Sequence, residues 1–316
     1  MSSHALLPAD VRMLERGWLS SNSLLLQGID EQGAVLIDSG YCTHGDQTLA
    51  LVQHALADHA QPGLRLIANT HLHSDHCGGN ALLSQHFACP IAIPPGDFDA
   101  ALRWDEAGLS YGSTGQTCPR FVPSQVLSPG SELIQGRRRW QIHAAPGHNP
   151  HSVVLFEPEA AILVSAAALW QHGFGIVFPA LGRADKACEQ GFSEVEATLD
   201  LIDSLPARVV VPGHGPAFSD VSAALAIARK RLAFFRANPQ RHARHAAKAL
   251  IKFRLLEIER QSRLGFINWL LSNTVHVAIW QNYFDDQSVA DWSLALLQEL
   301  AEAGALKLQD EAVINL

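Results

Sequence analysis

This chain predicts an α/β fold, with mixed sheets flanked by helices on their outer faces and a smaller, mostly helical region at its C-terminal end. Three observations carry that reading. Short apolar runs of strand length alternate with longer stretches whose apolar residues recur at helical spacing. Three of the short runs lead within a few residues to histidines, which puts imidazoles at strand ends. Beyond about residue 219 the strand-like runs give way to basic, helix-periodic sequence.

Along the chain, Leu24-Leu25-Leu26 and Ala34-Val35-Leu36-Ile37 flank the turn-forming Asp30-Glu31-Gln32-Gly33 and predict a hairpin. Residues 46–59 predict a helix, and Leu64-Arg65-Leu66-Ile67-Ala68 a strand. Residues 94–125 and 170–185 read as long loops that carry Trp104, Tyr111 and Phe121 in the first and His172, Phe174 and Phe178 in the second. Such loops either close over a substrate or are pinned to the core by those aromatics. Gln141-Ile142-His143, Ala161-Ile162-Leu163-Val164-Ser165 and Arg208-Val209-Val210-Val211 read as further strands, the first and last followed by Pro-Gly-His. A helix is expected over 186–204, where Phe192, Val195, Leu199 and Ile202 recur at spacings of three and four and mark one buried face.

From these elements we expect one domain over 1–219 and a second over 220–316. Val221, Leu225, Ala228, Leu232 and Phe235 predict a helix that opens the second. Residues 229–263 hold eleven of the chain's 23 Lys and Arg, opposed only by Glu257 and Glu259, so this segment is +9 in a chain of net charge −8. Two readings follow: a surface for nucleic acid or another polyanion, or a solvated helix face that pairs with acidic residues elsewhere, and the second is favoured. The remainder predicts helices around 266–272 and 289–303, then Gly304 and a β-like tail over 305–316.

The densest chemistry lies in Asn69-Thr70-His71-Leu72-His73-Ser74-Asp75-His76-Cys77-Gly78-Gly79. An extended chain points alternate side chains the same way, so His71 and His73 can converge on one ion. Asp75 and His76 follow where Gly78-Gly79 lets the chain turn, and can face a second ion. Imidazole and carboxylate together suit zinc, with iron or manganese as substitutes. His148 and His214, each set after Pro-Gly at a strand end, are the further candidate ligands. Cys77 adjoins the motif, and a small buried thiol is its expected role.

These motifs, His71-Leu72-His73-Ser74-Asp75-His76 with Pro-Gly-His at 146–148 and 212–214, resemble those of the metallo-β-lactamase superfamily, over roughly residues 15–218. The resemblance implies the four-layer αββα sandwich. It implies that His71, His73 and His148 bind a first zinc and Asp75, His76 and His214 a second. Asp38, in Gly33-Ala34-Val35-Leu36-Ile37-Asp38-Ser39-Gly40, would support the ligands from behind. The C-terminal order of helices and tail is similar to the small winged-helix-like domain of some members, which roofs the pocket, dimerises or accompanies nuclease activity.

One family position departs from the pattern. Members commonly carry an Asp after the strand corresponding to 161–165, bridging both metals; here that residue is Ala167. A natural variant with a simplified site, a degenerate site and a deliberate replacement are all consistent with the sequence. Each ion would keep three protein ligands, as catalytic zinc sites do. The second site would be weakened more than the first and would fill only with added metal.

The function expected is hydrolysis of an ester, thioester, lactone or related bond by a metal-bound hydroxide, with Asp75 orienting it and His172 as a possible proton donor. The alternatives are an RNA-binding metallo-nuclease and a catalytically weakened ligand-binding or regulatory protein. A hydrophobic fraction of 47% suits a globular protein, and no apolar run reaches the ~18 residues that span a bilayer. Residues 1–10 lack the basic start and apolar stretch of a signal peptide. With five cysteines and no CxxC pair, this predicts a cytoplasmic protein acting on a small molecule, with a homodimer as the possible assembly.

Overall fold

The structure, a computed structural model, describes residues 6–29, 31–57, 63–181 and 185–316, the side chains of 185–187 excepted. One sheet contains β1 (Val11–Leu14), β2 (Ser23–Leu26), β3 (Ala34–Ile37), β4 (Leu64–Ala68), β5 (Ile91–Ile93) and β6 (Gln125–Val126) in that order. Its first three strands pair antiparallel and the rest parallel. The second contains β7 (Glu132–Gln135), β8 (Arg138–Ala144), β9 (Val153–Glu157), β10 (Ile162–Ala166) and β11 (Val209–Pro212), antiparallel except for β10 beside β11. Helices α1 (Gly45–Leu56), α2 (Ser74–Cys77), α3 (Asn80–Phe87), α4 (Phe98–Arg103), α5 (Tyr111–Thr114) and α6 (Asp185–Ser204) connect these strands.

The two-residue period of each strand sorts side chains into layers. In β3, Val35 and Ile37 join Leu66, Leu155, Ile162 and Val164 in a core between the sheets. Ala34 and Leu36 face the other way, onto Val52 and Leu56 of α1 and Leu83 of α3. In β10, Leu163 turns outward onto Phe192, Val195, Leu199 and Ile202, the expected buried face of α6. Strands covered on both faces must be apolar throughout, and β2, β3, β9 and β10 are buried at every position. The result is the helix–sheet–sheet–helix sandwich that the sequence predicted.

The C-terminal region contains α7 (Val221–Ala237), α8 (Pro239–Ile258), α9 (Arg263–Ser272), α10 (Thr274–Tyr283) and α11 (Val289–Glu302). A small antiparallel sheet of β12 (Arg260–Ser262), β13 (Leu306–Gln309) and β14 (Ala312–Asn315) completes it. Asp220 caps α7 by accepting from Ala223 N. Pro239, at the first turn of α8, has no N–H to continue the preceding helix, so the chain breaks there and restarts. A separate core of Ile251, Leu255, Phe266, Trp292 and Leu296 includes Leu181 from the second long loop, so this region packs against the loop nearest the site.

Several expectations need correction. The first helix ends at Leu56, and His59 lies outside the described residues, as does Asp30 of the hairpin turn. The 94–125 segment carries α4 and α5, and its Tyr111 and Phe121 are core residues packed against Trp104. The two helices expected after residue 264 are three. The additional one, α10, forms where His276 and Ile279 are buried and Asn273 caps the helix by accepting from His276 N.

The basic segment is largely paired within the protein. Arg229 reaches Asp200 and Asp203, Arg236 reaches Glu189 and Glu196, and Arg244 and Lys248 share Glu299. Arg231 lies over Phe174 and Phe235, and Lys252 donates to Asn315 and to backbone carbonyls. No helix among the described residues is long and apolar enough to cross a membrane.

Candidate metal centre

The site forms at one edge of the sandwich, where β4 ends and α2 begins. His73 is still extended (φ −69°, ψ 145°), and the four-residue helix after it carries Asp75 and His76. Gly78 and Gly79 act through close approach and not through turning, since both have ordinary helical φ (−61° and −83°). A Cβ on Gly78 would lie 2.5 Å from Cys42 N, and one on Gly79 2.4 Å from Ser39 O. Only glycine lets the motif press against residues 39–42, where Ser39 N donates to His76 O at 2.7 Å.

Six candidate ligand residues gather into two groups: His71, His73 and His148, and Asp75, His76 and His214, each with ligand atoms within 4.8 Å of one another. In the first, His73 Nδ1 and His148 Nε2 are 2.7 Å apart. In the second, Asp75 Oδ2 lies 3.0 Å from His214 Nε2 and 3.5 Å from His76 Nε2. The groups adjoin, since the His71 and His76 rings are 4.1 Å apart.

What points the lone pairs inward is a chain of hydrogen bonds behind the ligands. Asp38, held at φ +59°, accepts from Thr70 N at 2.9 Å, Thr70 Oγ1 at 2.8 Å and His76 Nδ1 at 2.7 Å. A carboxylate only accepts, so His76 carries its proton on Nδ1 and turns Nε2 toward Asp75. Thr70 Oγ1, having given its hydrogen to Asp38, accepts from His71 Nδ1 at 3.1 Å. That leaves His71 Nε2 buried and without a hydrogen-bond partner among the described residues. His148 Nδ1 donates to Ile176 O at 2.6 Å, so its Nε2 also offers a lone pair.

The electrostatics agree with this assignment. Burial, reinforced by neighbouring imidazoles, holds His71 and His148 well below the usual histidine range, and burial lowers His73 to about 4. These rings are neutral near pH 7, the state in which imidazole ligates a metal. Burial alone would raise Asp75, but His76 and the hydrogen bond from His214 outweigh it and hold the carboxyl well below its ordinary value. Burial would lower His76, but Asp38 and Asp75 outweigh it and raise its pKa. A borderline divalent cation fits both donor sets: three buried imidazoles in the first, and two imidazoles with one ionised carboxylate in the second.

Ala167 follows a bulge in β10, where Ala166 has φ +46° and donors from Gly213 N and Trp170 Nε1 reach Ala166 O at 2.8 and 3.0 Å. Its neighbours thus include the turn that carries His214, and its side chain, buried, is a methyl group. His172 lies exposed on a tight turn closed by Trp170 and Gly173 and belongs to neither ligand group. Cys77 is a buried thiol 3.2 Å from Tyr111 OH.

A cleft of about 370 Å³ opens beside the first group, lined by His73, His148 and Phe178 and by Val275, Ala278 and Asn282 of α10. Both long loops contribute to its wall, and the C-terminal region supplies its roof. Sequence reading overlooked the aromatics around the second group. Trp18 stacks on His214 with ring centroids 5.1 Å apart, Trp170 meets the same ring edge-on at 5.6 Å, and Trp18 is 58% exposed. A lone Trp before a strand carries no periodic signal that would have revealed it.

Comparison with known proteins places this arrangement. The family profile of the metallo-β-lactamase superfamily matches residues 16–214. The chain is 27% identical over 160 residues to a probable metallo-hydrolase of Methanocaldococcus jannaschii, covering 49% of this chain and 70% of that protein. It is 29% identical over 137 residues to a hydroxyacylglutathione hydrolase of Anaeromyxobacter dehalogenans, covering 43% of this chain and 42% of the relative. A metallo-β-lactamase family protein of Thermus thermophilus shares the fold along 98% of this chain and 100% of its own, with TM-score 0.57 and 20% identity. TTHA1623, solved in a di-iron-bound form, covers 69% of this chain and 98% of its own, with TM-score 0.51 and 27% identity.

Proposed function

Because the chain belongs to the metallo-β-lactamase superfamily, we propose that it is a metal-dependent hydrolase of small acyl substrates, an ester, thioester or lactone. The observation that carries this reading is the His71–Thr70–Asp38–His76 chain, which spends a buried, strained carboxylate on orienting imidazoles in both groups. The similarity to a hydroxyacylglutathione hydrolase supports hydrolysis at an acyl carbon.

In this reading His71, His73 and His148 hold one ion and Asp75, His76 and His214 the other, with zinc favoured by the donor set and iron or manganese also accepted. Bound there, such an ion acts as a Lewis acid and lowers the pKa of a coordinated water towards 7. The chain's own groups do the rest. Asp38 and Thr70 keep the ligand imidazoles in one tautomer. Phe178, with its ring 5.0 Å from that of His73, gives the cleft an apolar wall that excludes water from the acyl group. Asp75 is the only anion among the six ligands, and Ala167, where the family resemblance implies a bridging carboxylate, supplies a methyl group. The second group therefore binds its ion more weakly than the first.

The test is metal analysis of purified protein dialysed against graded free zinc, paired with turnover of an ester, thioester, lactone and β-lactam panel. Two ions per chain at high free zinc and one at low, with hydrolysis following the second, is the expected result. Fewer than one ion per chain throughout would overturn the assignment.

A further inference from the structure

The cleft beside His73 and His148 contains a carboxylate that the metal centre does not use. Asp97 ends the turn after β5 and is 7% exposed, yet it lines the cleft. Its Oδ1 lies 3.9 Å from His151 Nε2, too far for a hydrogen bond, and its Oδ2 has no partner among the described residues. Burial pushes this carboxyl above its ordinary value, with His151 acting in the opposite sense. Buried carboxylates are ordinarily paired, because an uncompensated one carries its full desolvation cost. Ser110, Ser113, Thr114, Asn149 and Asn282 add hydroxyl and amide groups, while the described lining residues include no Lys or Arg. Away from the metal groups, the cleft thus offers one carboxylate and several acceptors, and no Lys or Arg for an anionic group.

We propose that Asp97 is a specificity-determining residue that binds a protonated amine at the non-reacting end of the substrate, so that the substrate class is amine-bearing esters or thioesters. This rests on the hydrolase reading above. An ammonium group has three donors and no acceptor, which matches a buried carboxylate with a free oxygen amid hydroxyl and amide oxygens. A phosphate or carboxylate placed at the Asp97 end of the cleft would meet a like charge and no Lys or Arg. The apolar wall of Phe178, Pro179 and Leu181 would then accommodate the carbon chain between the amine and the acyl group.

The experiment compares three acyl esters of equal length whose far end carries an amine, a methyl group or a carboxylate, hydrolysed by zinc-loaded protein. In parallel, calorimetry measures binding of the corresponding non-hydrolysable amides. The amine-bearing ester should exceed the methyl one in kcat/KM by about tenfold or more through KM, as a hydrogen bond to a charged group implies, with the carboxylate ester worst. Asp97→Asn should reduce the preference for the amine at least tenfold, and Asp97→Glu should retain part of it. The wild-type comparison stands even if a variant fails to fold. Turnover without preference for the amine overturns this inference and leaves the hydrolase reading intact. Amine-selective, Asp97-dependent binding without turnover overturns the hydrolase reading and leaves the recognition intact. Equal binding of the three amides, with no turnover, overturns both.

Discussion

Asp38 Oδ2 accepts from His76 Nδ1 at 2.7 Å, although the two residues lie 38 positions apart and on different elements. The same carboxylate reaches His71 through Thr70, so one side chain at a left-handed backbone position governs an imidazole in each candidate metal group.

Replacing Asp38 should therefore weaken both sites together. Asn tolerates the positive φ, so Asp38→Asn isolates the charge and hydrogen bonding from backbone strain. Zinc affinity should fall about 10–100-fold, the usual consequence of losing such an outer partner. Competition with a chromophoric chelator measures it, and an unchanged affinity would show that the carboxylate serves folding alone.

Ala167→Asp should act in the reverse direction and on the second group first. An added carboxylate contributes ~1.5–3 kcal/mol if it meets the ion, so half-filling of the second site should move to at least tenfold lower free zinc. Metal stoichiometry against free zinc reads this directly. A titration curve identical to that of the parent protein would place residue 167 out of reach of the metals.

The glycines of the motif offer a steric test. Gly79→Ala forces a Cβ to within 2.4 Å of Ser39 O, a backbone atom that cannot swing away, whereas a Cβ on Gly17 meets nothing within 4 Å. Gly79→Ala should cost ~1–3 kcal/mol by overpacking and displace the ligands, lowering both the melting temperature and zinc retention. Gly17→Ala should be neutral or slightly stabilising. Equal melting temperatures for the two variants would contradict the close approach seen here.

Acid sensitivity should reside partly outside the site. His276 is buried, hydrogen-bonded to Ser293 Oγ at 2.8 Å, and lowered by burial to about 4. Between about 6.5 and 4 the unfolded chain takes up this proton while the folded chain does not. The contribution of His276 to stability is then constant above pH 6.5 and declines by up to a few kcal/mol as the pH falls towards 4. Urea denaturation of metal-free protein across this range should give a shallower pH slope for His276→Gln than for the parent chain.

Phe178→Ala should widen the cleft beside His73 and His148, whose rings lie 5.0 and 5.6 Å from that of Phe178. KM for an apolar ester should rise severalfold, by the ~1–3 kcal/mol that a lost apolar contact is worth in discrimination. Zinc stoichiometry should not change, because the ring ligates nothing.

Much of this was legible in the sequence because it is local. Apolar runs and helical spacing predicted β2, β3, β4 and the buried face of α6 from neighbours a few residues apart. The six candidate ligands were legible for the same reason, since their residue types and spacings are written in three short segments. What is not local was not legible. Helix α10, which the sequence reading left unassigned, forms where His276 and Ile279 are buried against α11 and its neighbours. His172, close in sequence to the site, is exposed on a turn, whereas Trp18 and Asp97, distant in sequence, line its surroundings.

By itself, then, the sequence determined the layered α/β fold and which side chains could ligate a metal, since residue chemistry and short-range periodicity suffice for both. Only the tertiary structure decided which nitrogen of each histidine faces inward, what roofs the cleft and which carboxylate waits in it. Those depend on hydrogen bonds such as Asp38 to Thr70 and on contacts such as α10 over Phe178, between segments that only folding brings together.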